Sequence, residues 1–536
     1  MVLCFYFRGH NRAPACLDGS GRPARYRCRR DMKRCVFLGI YLAGLLTSYT
    51  MASPSPTAQK VIDEYLRAQG GAKAVAQIQT AMIAGSLTEE STGKTGSYSL
   101  IIKTPGRYYS EIIAGSDRAV DAFNGMSSWA ELSPEGPRTL TGPAANQSEA
   151  TGRYWNSRLA DLKKSKLDVQ LLGTEKVLGR DTHHLRVLLG SGVTHEVFFD
   201  VETHLIARDI SSAPASGYSP ENSPAQQFDY SDYRPVQGIQ APYRIELRRG
   251  GHVYQISVTR ADFNSPVEDS VFNFPRGTGD PLPDIPSLIL QVTRNQKAVE
   301  EIQKQYTCHL TTEQEKGDSK SRQPSRTIKE FEVFNIAGEE VQHLITKEGR
   351  PLAGNEKQKE DERFNKEFAR LTKKEAEGAD PIKQAKQEAK EEARISDFLR
   401  AVRFANARRE RFRGEAVIAV DFGPNPDYKP KGTIENIIHQ LAGVIWIDDQ
   451  ARDVARLEAH FSKSAKIGGG VLASVEKGSS FVFEQGKVNN EVWLPTYDEV
   501  HLAGRFLIVK LRANQIDRYS DCRKFHAESK IVAVED

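Results

Sequence analysis

The residues whose types and spacing could do chemistry are few. Gly93-Lys94-Thr95-Gly96 has the ending of a phosphate-binding loop, but such a loop needs a glycine five residues before Gly93, and Thr88 stands there. The pattern around it predicts a hairpin rather than the start of a helix, so it reads as a turn. His183, His184, His195 and His204 lie close in sequence. On strands, however, successive side chains point to opposite faces, so no metal-ligand spacing results and these read as ordinary polar or surface histidines. The chain holds no Gly-x-Ser-x-Gly elbow, no His-Glu-x-x-His and no Cys-x-x-Cys. The sequence therefore nominates no catalytic residue, no metal ligand and no cofactor site.

Two carboxylates stand out because they repeat. In Val197-Phe198-Phe199-Asp200 and again in Val444-Ile445-Trp446-Ile447-Asp448, an apolar run ends in an aspartate, passes through a polar turn and resumes at Ala-Arg, Ala207-Arg208 and Ala455-Arg456. An Asp opening a hairpin turn can accept bonds from backbone N–H groups further along, which explains why it occurs once per copy; a catalytic pair does not explain that. The unit reads as a β-hairpin used twice, and repetition on this scale predicts two related domains in tandem.

The elements that position these hairpins follow the same order in each half. Thr57 is placed to cap a helix with Val61, Ile62, Tyr65 and Leu66 on one face, and Gly70-Gly71 ends it. Strands then dominate to Phe274, interrupted by a polar helix predicted over 152–166. Residues 276–286 form a Pro/Gly-rich linker. A second amphipathic helix, with Ser287 expected as its cap, and a second run of strands follow. The predicted fold is α+β, mainly antiparallel β: two tandem incomplete barrels (half-barrels) each covered by helices, over 57–275 and 287–536. The second carries a charged insertion, 356–413, read as two helices broken near Gly378-Ala379-Asp380-Pro381. Its first part, with Phe364, Phe368 and Leu371, is expected to be largely solvated. Its second, with Ile395, Phe398, Leu399, Val402 and Phe404, is expected to dock.

The net charge of +4, from 74 basic and 70 acidic residues, is too balanced to argue for nucleic acid. From Met32 the chain reads as a secretory signal over 32–52: a short basic stretch, an apolar run from Val36 to Leu46, then small residues up to Ala52. Residues 1–31 do not fit ahead of such a signal and read as a mis-called extension. A periplasmic or otherwise exported protein is expected, with no transmembrane span after cleavage. Removal of the leader leaves Cys308 and Cys522. An oxidising compartment permits a bridge between them; free, partly buried thiols are the expectation, since sequence does not bring their backbones together.

What remains is apolar burial. Runs such as Leu100-Ile101-Ile102 and Val197-Phe198-Phe199 break alternation and predict strands packed on both faces. Packing against loops and neighbouring helices explains this; so does a sheet wrapped around an apolar cavity for acyl chains, with Val197, Phe199, Tyr243, Ile245, Trp446 and Trp493 as candidate lining residues. Residues 57–275 resemble the periplasmic outer-membrane lipoprotein-sorting (lipoprotein carrier-like) family, on YLRAQGG, AVAQIQTAMIAGSL, FFDVETHLIARD, FDYSDYRPVQGIQAPYRIEL and DSVFNFP. Residues 287–536 resemble a module of the same fold, on YTCHL, GVIWIDDQARDVARLE, EVWLPTY and YSDCRKF. The resemblance implies a non-enzymatic binder of lipid or lipoprotein acyl chains in the cell envelope. An envelope sensor or scaffold binding other proteins through the same fold, with 356–413 as the contact, is the alternative, and an uncharacterised hydrolase is third.

Overall fold

The computed structural model describes residues 57–160, 162, 167–189, 193–212, 226–275, 281–303, 305–318, 325–336, 339–376, 400–430, 433–467, 473–489, 492–506 and 509–524. The signal at 32–52, the extension at 1–31, the helix break near Gly378 and the docking residues Ile395, Phe398 and Leu399 lie outside them.

The described chain is mostly antiparallel β, gathered into two large sheets. The first is preceded by helices α1 (Ala58–Ala68) and α2 (Ala72–Ala76). The Thr57 hydroxyl accepts from the Lys60 N–H at 3.2 Å, and Val61, Ile62, Tyr65 and Leu66 are buried, so α1 is capped and faced as its sequence requires. At its end Gly70 takes φ +122°, and a Cβ there would lie 2.1 Å from the Gly238 carbonyl oxygen; the helix end meets the sheet through a position only glycine can occupy.

Strands β1 (Thr80–Glu89), β2 (Thr95–Lys103), β3 (Arg107–Ala114), β4 (Asp117–Phe123), β5 (Ser128–Leu132) and β6 (Gly136–Thr139) follow as a meander to one edge. Helix α3 (Gly142–Ser157) then carries the chain across. Strands β7 (Asp168–Val177), β8 (Arg180–Leu188), β9 (Thr194–Asp200), β10 (Ile206–Ser212), β11 (Gln226–Val236), β12 (Ile239–Arg249) and β13 (His252–Phe263) return from the opposite edge, and β13 pairs with β1. The first and last strands therefore lie side by side in the middle of the sheet. The crossing helix starts ten residues earlier than the polar pattern suggests, because Pro143 sits in its first turn and Gly152 lies inside it, against the β3 entry.

The second sheet repeats this path. It starts with α4 (Ile285–Gln303), whose cap is Asp284: its carboxylate accepts from the N–H and hydroxyl of Ser287, which itself lies within the helix. Strands β14 (Tyr306–Asp318), β15 (Ser325–Ile336), β16 (Glu339–Lys347) and β17 (Arg350–Pro351) run to one edge, and α5 (Gly354–Ala376) follows. From the far edge come β18 (Val402–Phe412), β19 (Glu415–Pro424), helix α6 (Thr433–Ile438), β20 (Leu441–Asp448) and β21 (Val454–Phe461). After a small side pair, β22 (Ala465–Ile467) and β23 (Ala473–Val475), come β24 (Ser480–Val488), β25 (Val492–Phe506) and β26 (Val509–Lys524), and β26 pairs with β14.

Three expectations change here. The helix α5 docks, with Leu371 and Phe364 fully buried against Ile336 and Val341, because its sparse apolar residues fall on one face over β16. Residues 402–412 are a strand rather than helix: Val402 and Phe404 are two apart, the strand period, and the segment pairs with β19. Cys308 and Cys522 form a disulfide. Pairing of β14 with β26, with a bulge between Thr307 and His309, brings their Cα atoms to 4.1 Å.

Candidate functional site

The two repeated aspartates have the same local geometry. Asp200 Oδ1 accepts from the N–H of Glu202 (2.9 Å) and Thr203 (2.7 Å); Asp448 Oδ1 accepts from those of Gln450 (2.9 Å) and Ala451 (2.5 Å). In each turn the residue four positions on, His204 or Arg452, has φ +59°. Beyond the turns Arg208 pairs with Asp229 across the ladder, and Arg456 with Glu484 at the corresponding place. These carboxylates hold hairpins.

Their hairpins also share a bulge, which decides what faces inward. In the first sheet Ile206 opposes Phe199 while Arg208 opposes Phe198, so one residue of β10 is extra and Ile206 and Asp209 come to the same face. Asp209 is thereby buried, and its Oδ1 lies 2.8 Å from Nδ1 of His195, also buried. The His195 ring stacks on Tyr154 of α3 at 3.7 Å, and the Tyr154 hydroxyl bonds the same carboxylate. Burial, and then Asp209, push the Tyr154 phenol well above its ordinary range. Among the four histidines, His195 is thus the interior one, and the bulge that put Asp209 beside it leaves no mark in strand periodicity. At the corresponding places the second sheet has Gly443 and Leu457, so the polar pair belongs to the first copy alone.

Between this sheet and its helices lies a cavity of about 180 Å³. Alternate residues of β2 (Tyr98, Leu100, Ile102) and β1 (Ala81, Ile83) form its floor. Phe228 and Tyr230 of β11 with Ile245 of β12 extend that floor, and Tyr65 of α1, Ile78 beyond α2 and Trp155 and Leu159 at the end of α3 close it over. The lining is mostly apolar; its polar side chains are Asp209, Gln240, Arg158 and Gln69, whose amide donates to the Tyr65 hydroxyl, together with the other lining tyrosines. Burial pushes the Tyr65 phenol up to about 12 and the Arg158 guanidinium down to about 10.

Of the six residues nominated from sequence, Ile245 lines this cavity. Val197 and Phe199 are in the core beneath α1, where Phe199 meets Tyr65 edge-on at 5.2 Å between ring centroids. Tyr243 packs beside Ile245 with the Arg234 guanidinium 4.4 Å over its ring. Trp446 and Trp493 lie together in the second sheet with Val417, Ala419 and Val444. Trp446 opposes Arg456 as Phe198 opposes Arg208, so it lies on the face opposite that of Val197 and Phe199 in the first copy. That face is turned to the first sheet. The Trp446 indole N–H donates to Glu410, whose carboxylate also accepts from the N–H (3.1 Å) and hydroxyl (2.8 Å) of Thr139. Nearby, fully buried Asp421 pairs with Arg408 at 2.8 Å and accepts from Asn124 (3.2 Å), Ser127 (2.7 Å) and Asn406 (2.9 Å). The two sheets are joined through this buried polar seam.

No family model and no curated protein matches the chain. Solved structures do. They include a domain assigned to outer membrane lipoprotein sorting from Vibrio parahaemolyticus (9% identity, 40% of this chain and 96% of that one, TM-score 0.27). A LolA superfamily protein from Nitrosomonas europaea is also among them (13% identity, 41% and 99%, TM-score 0.26). So is the MucA/MucB complex of Pseudomonas aeruginosa (9% identity, 87% and 99%, TM-score 0.16). The lipoprotein-sorting likeness read from the sequence reappears among solved structures. With TM-scores this low, what the cavity does follows from its own walls. Among the described residues, no helix is long and apolar enough to cross a membrane, and no group of three or more His, Cys, Asp or Glu is placed to hold a metal ion.

Proposed function

We propose that the chain is an exported, non-enzymatic binding protein of the cell envelope that holds acyl chains, the first sheet acting as an incomplete barrel under α1, α2 and α3. The observation that carries this reading is the cavity: a floor of alternating large apolar residues with helices above it, at a place where a soluble protein would otherwise pack side chains to density. Each methylene buried there contributes about 0.8 kcal/mol, so a chain of about eight carbons contributes about 6 kcal/mol before the cost of association. The Cys308–Cys522 disulfide supports export, since such bridges persist in oxidising compartments. The second sheet, following the same path but with Gly443 and Leu457 in place of the polar pair, is read as a second half-barrel that has diverged.

Native mass spectrometry and lipid extraction of the mature protein test this directly. A bound amphiphile is expected, along with saturable uptake of a fluorescent fatty-acyl probe. Leu100→Trp and Ala241→Phe, which fill the cavity, should weaken that uptake about tenfold or more. A protein that carries no amphiphile and takes up no probe would end the reading.

A further inference from the structure

We propose that the occupant of this cavity is a single-chain amphiphile with a carboxylate head, a medium-chain fatty acid of about eight carbons, and that Arg158 holds the head. The inference rests on the acyl-binding reading above and names the class of ligand.

Arg158 ends α3 in the left-handed region, φ +47°, a conformation that a residue with a Cβ seldom adopts. This turns its side chain back under the helix into the cavity wall. One guanidinium nitrogen, Nη1, donates to the carbonyls of Ile78 (3.3 Å) and Asn156 (3.1 Å), which fix the plane of the group. The other, Nη2, is sealed from solvent and has no hydrogen-bond partner among the described residues. No carboxylate among them pairs with Arg158. The acid that also lines the cavity, Asp209, is held by His195 and Tyr154 instead.

A half-buried guanidinium with one sealed, unused donor is costly to keep, because a charge partly removed from water needs both an opposite charge and full hydrogen bonding. A carboxylate supplies both, and its planar pair of oxygens matches the guanidinium edge. The same cavity is lined by the Tyr65 hydroxyl and by Gln69, whose Oε1 is likewise buried and unpartnered; rotation of that amide would offer its N–H₂ to a second carboxylate oxygen. From this polar end the apolar floor of Ile102, Leu100 and Ile83 leads away, as a tail requires. The width fits one chain. An apolar cavity of about 150 Å³ takes a single benzene ring, so 180 Å³ takes one tail of about eight carbons and no second chain beside it.

The test compares octanoate, methyl octanoate and octyl phosphate below their aggregation limits, by displacement of a fluorescent acyl probe from the wild-type protein, Arg158→Met and Arg158→Lys. Octanoate should bind at least tenfold more tightly than its methyl ester. Arg158→Met, which keeps the volume, should abolish that preference while leaving methyl octanoate within about twofold, and Arg158→Lys should retain part of it. Thermal unfolding of each variant checks that the fold is intact. Equal binding of acid and ester by the wild type, or equal loss of both in Arg158→Met, would overturn the carboxylate assignment while leaving the acyl cavity standing. Tighter binding of octyl phosphate than octanoate would overturn it in favour of a phosphate head. Failure to bind any of the three would overturn the cavity reading with it.

Discussion

Reduction of Cys308–Cys522 should unfold the second sheet long before the first. The cysteines are separated by 214 residues, nearly the whole of that sheet and its helices. Closing a loop of that length removes about 18 cal/mol/K from the unfolded chain, or about 5 kcal/mol at room temperature, with about 2 kcal/mol as the lower end if the unfolded chain stays compact. Since a domain has about 5–15 kcal/mol in all, this is a large share of it. For a unit of roughly 200 residues it corresponds to a fall in Tm of about 5–20 °C. The double variant Cys308→Ala/Cys522→Ala avoids reductant artefacts, and urea and thermal unfolding by circular dichroism give the shift. Two results refute the reasoning: a change below about 1 kcal/mol, or alkylation of two free thiols in protein purified from an oxidising compartment.

Three further outcomes follow from the fold. Burial, then Asp517 and Glu340, push the Asp498 carboxyl up to about 8, so the native state holds a proton that the unfolded chain releases near pH 4. Stability contributed there is present at low pH and lost as pH rises through about 8; Asp498→Asn should therefore raise the unfolding free energy at pH 8–9, by on the order of 2 kcal/mol, and do nothing at pH 4. In Gly152→Ala a new Cβ would lie 2.1 Å from the Gly106 carbonyl oxygen, lifting α3 off β3. A loss of about 1–3 kcal/mol and faster release of bound acyl probe are expected, measured by unfolding and stopped-flow fluorescence. Asp421→Ala leaves Arg408, itself fully buried, without its partner, and should cost about 3–5 kcal/mol and split unfolding into two calorimetric transitions.

Much of this fold was written in periodicity. The paired hairpins at Asp200 and Asp448 were legible because a turn aspartate and a following Ala-Arg recur at one spacing, and α1 because its cap, apolar face and glycine stop agree. The site was legible only as apolar strands. Asp209 enters the cavity through a bulge that shifts strand phase by one residue, and Arg158 through a left-handed pair, Arg158-Leu159, after α3; neither event has a sequence period. Trp446 was nominated from an apolar run that breaks alternation, yet its place on β20 turns it to the seam with Glu410, on the face opposite that of Ile445 and Ile447. The β14–β26 pairing that joins Cys308 to Cys522 spans the whole repeat and has no local signal at all.

Because the first and last strands of each sheet are antiparallel neighbours, tension applied through the chain ends pulls each ladder apart like a zipper, one bond at a time, instead of shearing all its bonds together. In the second sheet Tyr306 pairs with Lys524 and Thr307 with Arg523 at the mouth, and the covalent Cys308–Cys522 bond stops the tear just beyond them. In the first sheet the same place, β1 against β13, is fastened by hydrogen bonds alone, from the Gln79 N–H to the Asn264 side chain and from the Thr80 hydroxyl to the Ser265 carbonyl, each 2.7 Å. A chain under load thus yields first at the sheet that holds the cavity, and the locked sheet becomes the anchor against which it opens.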